Sequence, residues 1–136
     1  MRVVFADAGY FIANLDSRDP LHERARTVAA GLGLFSIVTT QMVIAEVLNY
    51  ASRGSDYVRG LAVQMVRGLE ARPDVEVVPQ TDAQFQAAVD RYAARPDQTW
   101  SLTDCASFLL MEERNITEAL AYDRDFEQAG FSALLR

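Results

Sequence analysis

The sequence contains no lysine; all thirteen basic residues are arginines. That excludes a P-loop lysine, a Schiff-base lysine and a Ser-Lys nucleophile pair. Histidine and cysteine occur once each, as His22 and Cys105. A lone cysteine makes no intrachain disulfide, and one Cys with one His cannot complete a structural zinc site. No G-x-S-x-G elbow presents a serine nucleophile, and no G-x-G-x-x-G awaits a dinucleotide. The charge-free stretch Thr27–Ala45 is broken by Gly31, Gly33, Ser36, Thr39, Thr40 and Gln41, so it reads as parts of separate elements and not as a membrane span. The N-terminus lacks the layout of a signal peptide, and the expected setting is cytoplasmic, away from membranes. Any catalysis falls to carboxylates, hydroxyls and arginines.

What remains is an ordinary globular composition, half hydrophobic and 24% charged, with a net charge of −6. An indiscriminate nucleic-acid binder would be basic, so the charge argues against one without excluding a nuclease. No repeat or Gly/Pro-rich linker divides the 136 residues, which predicts one domain over 1–136. Short apolar runs at Arg2–Ala6, Phe35–Thr39, Val75–Val78 and Glu118–Tyr122 predict buried strands, and Phe131–Leu135 a further edge strand. Between them, three- and four-residue apolar spacing predicts helices over Ala8–Leu15, Leu21–Leu32, Gln41–Arg53, Ser55–Arg72, Ala83–Ala94 and Thr103–Arg114, with a short turn of helix at Asp125–Ala129. Strands alternating with helices predict an α/β fold: a parallel sheet of four or five strands with helices on both faces. In such sheets ligands bind beyond the carboxyl ends of the strands.

Four acids stand where a fold would hold a carboxylate in place. Asp7 ends the run Val3-Val4-Phe5-Ala6, and Asp123 ends Ala119-Leu120-Ala121-Tyr122. Glu46 has Met42, Val43, Asn49 and Tyr50 as its helical neighbours, which puts it on or beside the core-facing stripe. Asp104 stands in Ser101-Leu102-Thr103-Asp104, a relaxed capping-box pattern that accounts for it as a helix cap. Asp7 also suits a cap, and Asp123 with Asp125 an ordinary solvated turn. If the four converge, their mutual repulsion calls for a divalent cation. Cys105 reads as a small buried residue, His22 as a surface residue, and Trp100 with the other aromatics as core.

In order, the pieces Val-Val-Phe-Ala-Asp7, Val-Ile-Ala-Glu46-Val-Leu, Leu-Thr-Asp104-Cys-Ala and Ala-Leu-Ala-Tyr-Asp123-Arg-Asp-Phe, with Ala-Gly-Phe131, resemble the PIN domain, in particular the VapC-type toxins of bacterial toxin–antitoxin pairs. The resemblance spans nearly the whole chain. It implies a Mg²⁺- or Mn²⁺-dependent endoribonuclease that is a homodimer and is silenced by a cognate antitoxin. Asp7, Glu46, Asp104 and Asp123 match the family's metal-binding acids, and Asp125 is a second candidate beside Asp123. The family often places Thr or Ser after its first acid, where this chain has Ala8-Gly9. Thr40 and Thr103 are candidates to supply a hydroxyl instead, and Arg124, with Arg53, Arg59 and Arg67, to hold the RNA backbone. The alternatives are an inactive PIN-like interaction module and a housekeeping RNA-processing nuclease.

Overall fold

The computed structural model describes residues 1–136. Five short runs pair into one sheet: β1 (Arg2–Ala6), β2 (Phe35–Thr40), β3 (Val75–Val78), β4 (Glu118–Leu120) and β5 (Ser132–Ala133). The order is β3-β2-β1-β4-β5, and every pairing is parallel. Strands buried on both faces read as continuous apolar runs, which is why Val-Val-Phe-Ala and Ile-Val-Thr-Thr carry no polar alternation. Val4, Phe5 and Ala6 are wholly buried, as are Ala119 and Leu120 beside them.

Seven helices flank the sheet: α1 (Ala8–Leu15), α2 (His22–Gly31), α3 (Gln41–Ala51), α4 (Asp56–Ala71), α5 (Asp82–Ala94), α6 (Leu102–Arg114) and α7 (Arg124–Gln128). They pack as two groups, α1 against α2, α3 and α4, and α5 against α6, which also meets α7. Side-chain caps fix several starts. Thr40 accepts the amide of Val43, Ser55 that of Val58, and Thr81 with Gln84 closes a full capping box. No helix is long and apolar enough to cross a membrane.

The expected elements are present with trimmed ends. β4 stops at Leu120 and not Tyr122, because the chain leaves the β1 ladder there, although Leu135 still donates its amide to Ala121 at 3.1 Å. The edge strand is Ser132–Ala133 and not Phe131–Leu135. α3 ends at Ala51, two residues short of Arg53. His22 departs from its expected surface position. Its ring is only 16% exposed, and Nδ1 donates to the carbonyl of Ala13 at 2.6 Å, tying α2 to α1.

Candidate active site

β1 and β4 are adjacent, so the residues that follow them emerge side by side at the carboxyl end of the sheet. Asp7 follows β1 directly, and its amide donates to Leu120 at 3.2 Å. Asp123 lies three residues beyond Leu120 and caps α7, its side chain accepting the amide of Asp125 at 3.0 Å. Asp104 enters from α6, where it completes the capping box: it accepts the Ser101 amide while Ser101 Oγ accepts its own, both at 3.0 Å. The cap expected at Asp104 is therefore real, and the same carboxylate also stands among the acids. Oxygens of Asp104, Asp123 and Asp125 all lie within 4.8 Å of one another.

Aromatic packing beneath the carboxylates sets their relative positions. Phe5 precedes Asp7, Phe126 follows Asp125, and Phe108 lies one helical turn beyond Asp104; all three are fully buried. Phe108 meets Phe126 edge-on with centroids 5.0 Å apart, Phe126 meets Phe5 at 6.3 Å, and Trp100 stacks edge-on to Phe108 at 5.1 Å. Edge-to-face contacts such as Phe108–Phe126 and Trp100–Phe108 are favoured by the ring quadrupoles, while Phe5–Phe126 is tilted. β1, α6 and α7 thus share one aromatic spine, and each carries an acid to its top.

The electrostatics show how crowded the site is. Burial pushes the Asp7 carboxyl up to about 7, and the negative charges of Asp104, Glu46 and Asp123 add to the rise. Asp125 is pushed up to about 6 by burial and by Asp123 and Asp104. Asp104 and Glu46 are also held above the usual carboxylate range, each chiefly by burial. None of the five acids has an ion-pair partner among the arginines. Asp7 stands at the N-cap of α1 yet makes no side-chain capping hydrogen bond, so the capping role weighed for it is not filled.

The residue model of the PIN domain matches positions 4–132 of this chain. The chain belongs to the PIN domain family. Among solved structures it resembles VapC20 of Mycobacterium tuberculosis, described as a sarcin-ricin loop cleaving toxin, with a TM-score of 0.84 and 23% identity over 96% of this chain and 97% of that one. At that identity the likeness speaks to the fold. No curated protein matches the sequence.

The two hydroxyls weighed for the site of this PIN domain, Thr40 and Thr103, sit in different surroundings. Thr40 Oγ1 is occupied in capping α3, and the residue lines a largely apolar cleft with Val78, Pro79, Ala83 and Leu109 that contains none of the acids. Thr103 is half-buried beside Asp104, and its carbonyl accepts the Ser107 hydroxyl at 2.8 Å. The residue that sequence reasoning missed is Thr39. Fully buried, it donates from Oγ1 to the carbonyl of Ala6 at 2.8 Å, clamping β2 to the residue before Asp7. A threonine late in a buried strand was the available signal, but β-branched residues are so common there that it did not stand out.

Of the arginines weighed for the RNA backbone, Arg124 shares a cleft with Asp7 and Asp123. Arg53 lines a different cleft with Tyr50 and Tyr57, and Arg67 is engaged by Glu70 at 2.9 Å. Arg59 lies exposed on α4, outside the cleft that holds Asp7 and Asp123.

Oxygen-only donors, several carboxylates and no nearby sulfur or imidazole suit a hard divalent cation. Asp104, Asp123 and Asp125 form a group able to hold one, with Asp7 and Glu46 near enough to add their charge.

Proposed function

We propose that this PIN domain is a Mg²⁺- or Mn²⁺-dependent endoribonuclease acting as the toxin of a VapBC-type pair. The observation that carries the reading is the gathering of acids from β1, α3, α6 and α7 at one end of a parallel sheet, with no arginine paired to any of them. Unpaired charges at this density are costly unless a cation is bound. Family membership and the resemblance to a toxin named for cleaving the sarcin-ricin loop give the activity class and make ribosomal RNA one candidate substrate, beside tRNA and mRNA. A cognate antitoxin and a second copy of the chain are the partners proposed with it.

Asp104, Asp123 and Asp125 would hold the cation, with Asp7 and Glu46 completing the acidic set. When bound, the cation supplies charge neutralisation at the phosphate and acidifies water. The chain's own residues do the rest. The Phe5–Phe126–Phe108 spine holds the carboxylates at fixed separation, the Thr39 hydroxyl fixes the backbone behind Asp7, and the Ser101 amide occupies one oxygen of Asp104 and so orients the other. Burial and the neighbouring acids raise the Asp7 carboxyl to about 7, and bound positive charge would favour its ionised form. In-line attack of water on the phosphodiester would leave a 5′-phosphate and a 3′-hydroxyl. No histidine or lysine is needed.

The test is cleavage of a total RNA pool, including tRNA and rRNA, by the purified chain in Mg²⁺, in Mn²⁺ and in EDTA, alongside Asp104→Asn. Discrete fragments that require metal and vanish in the variant support the reading. Cleavage that survives the substitution would show that these acids are not the site. The second reading, an inactive PIN-like interaction module, draws on Ala8-Gly9 in place of the family's usual hydroxyl. It predicts a folded protein that cleaves nothing in either metal.

A further inference from the structure

The cleft shared by Asp7 and Asp123 is open, about 590 Å³ in volume, and its other walls are Gly9, Tyr122, Arg124 and Arg136. Tyr122 is 49% exposed although it immediately precedes an acid of the site. The guanidinium of Arg136 lies 4.9 Å from the centre of its ring. Two further contacts hold that guanidinium: Nη1 donates to the Tyr122 carbonyl at 3.0 Å, and Nε pairs with Glu127 at 3.0 Å. The backbone behind it is fixed as well, because Arg24 donates to the carbonyls of Leu135 and Arg136. Eight of the thirteen arginines are engaged in ion pairs with nearby carboxylates, and only Arg124 and Arg136 face the cleft that holds two of the acids.

A strongly acidic site repels the phosphates of its own substrate, so binding needs cations at the rim and a contact that does not depend on charge. A guanidinium laid on an exposed phenol ring provides both. Bases of single-stranded RNA stack on aromatic faces and on arginine planes whatever their sequence, and the spare N–H donors of the fork reach phosphate oxygens. The shelf is also preset by its anchors, so little side-chain freedom is lost on binding.

We propose that Tyr122 and Arg136 form a stacking shelf seating the single-stranded RNA nucleotide next to the scissile phosphate, with Arg124 contacting the neighbouring phosphate. This rests on the ribonuclease reading. The shelf binds substrate and takes no part in the chemical step.

The experiment is steady-state cleavage, with metal, of a labelled single-stranded RNA spanning a site first mapped with the wild-type chain. Tyr122→Leu and Arg136→Gln should each raise KM about tenfold, within the range found for losing one base stack. The turnover number should stay within about twofold. The double variant should cost little more than either alone, because both remove one stack. Raising salt should weaken kcat/KM less steeply for Arg136→Gln, by roughly 0.7 in the logarithmic slope per lost phosphate contact, and no less steeply for Tyr122→Leu. Arg136→Lys keeps the charge without the planar face. It should retain the wild-type salt slope and still lose the stack, which a merely structural strap would not do. Unchanged KM and slope in Arg136→Gln, or a fall confined to kcat, would overturn the shelf while leaving the nuclease intact. No cleavage by the wild-type chain would overturn the nuclease and the shelf with it.

Discussion

β1 and β4 lie side by side, and their two ends treat carboxylates in opposite ways. At the amino ends, Glu118 is gripped by Arg2 through hydrogen bonds of 2.8 and 2.6 Å, and its carboxyl is held below the usual range. At the carboxyl ends, Asp7 and Asp123 have no ion-pair partner although Arg124 and Arg136 line the same cleft, and Asp7 rises to about 7. The same contrast holds across the surface. Glu76 is paired with Arg114, Asp74 with Arg72, Glu112 with Arg91 and Asp97 with Arg95, and each of these acids is lowered by its partner. Arginine thus pairs with many of the acids outside the site and with none of the five within it. Crowding five unpaired acids at one sheet end, while arginines hold many others, suits a charge that is not part of the chain.

The largest effect should come from removing one crowded acid. Asp104→Asn, whose amide oxygen can still accept the Ser101 amide, should cut cleavage by ~10²-fold or more, as expected when a metal shell loses a member. Its thermal stability without metal should not fall. A variant that loses activity only because it unfolds would erase the contrast between the two ends.

Next is the joint dependence on metal and pH. Asp7 and Asp125 titrate near 7 and 6 in the folded chain, above their unfolded values, so the native state binds more protons through this window. Stability without metal should therefore be highest at the acidic side and decline as pH rises through about 6 to 7. Melting in EDTA at pH 5 and pH 8 checks the sign. Mg²⁺ should raise Tm more at pH 8 than at pH 5, because cation and proton compete for the same oxygens. If the metal-free chain instead became more stable toward pH 8, the crowding described here would be wrong.

A smaller effect is expected from Thr39→Val, which removes the buried hydroxyl from the Ala6 carbonyl. Stability should drop by about 1 kcal/mol, the usual worth of one buried hydrogen bond. Activity should drop with it, since Asp7 follows the freed carbonyl; urea unfolding and the cleavage assay report the two separately. Smallest of all should be Glu118→Gln at the paired end. Exposed ion pairs contribute little, so neither cleavage nor melting should shift appreciably. A large loss of activity there would mean that the two ends are not independent.

The sequence showed the four acids because each sits at the end of an apolar run or inside a helix stripe, patterns that periodicity exposes directly. The element list was legible for the same reason, and so was the Ser101–Asp104 cap. Strand order was not, because nothing local says that β1 lies between β2 and β4. The closeness of Asp125 to Asp104 was also hidden, since it depends on Phe126 packing against Phe108 from another element. Thr40 and Thr39 looked equivalent as neighbours, and only their facing tells them apart: one caps α3 and the other braces Asp7. His22 looked like a surface residue from its polar setting, but the carbonyl of Ala13 claims its ring. Tyr122 and Arg136 are fourteen residues apart and meet only because the chain returns alongside β4.

Asp104 is held twice over, by the Ser101 amide at the start of α6 and by its place among the acids. This gives the position a double inheritance. A descendant that abandoned catalysis would still be under pressure to keep a capping acceptor there, aspartate or asparagine, because losing it would fray the helix. Finding an aspartate here in a relative is therefore poor testimony that the relative is active. Asp7, whose side chain caps nothing, is the position where lapsed function would show first.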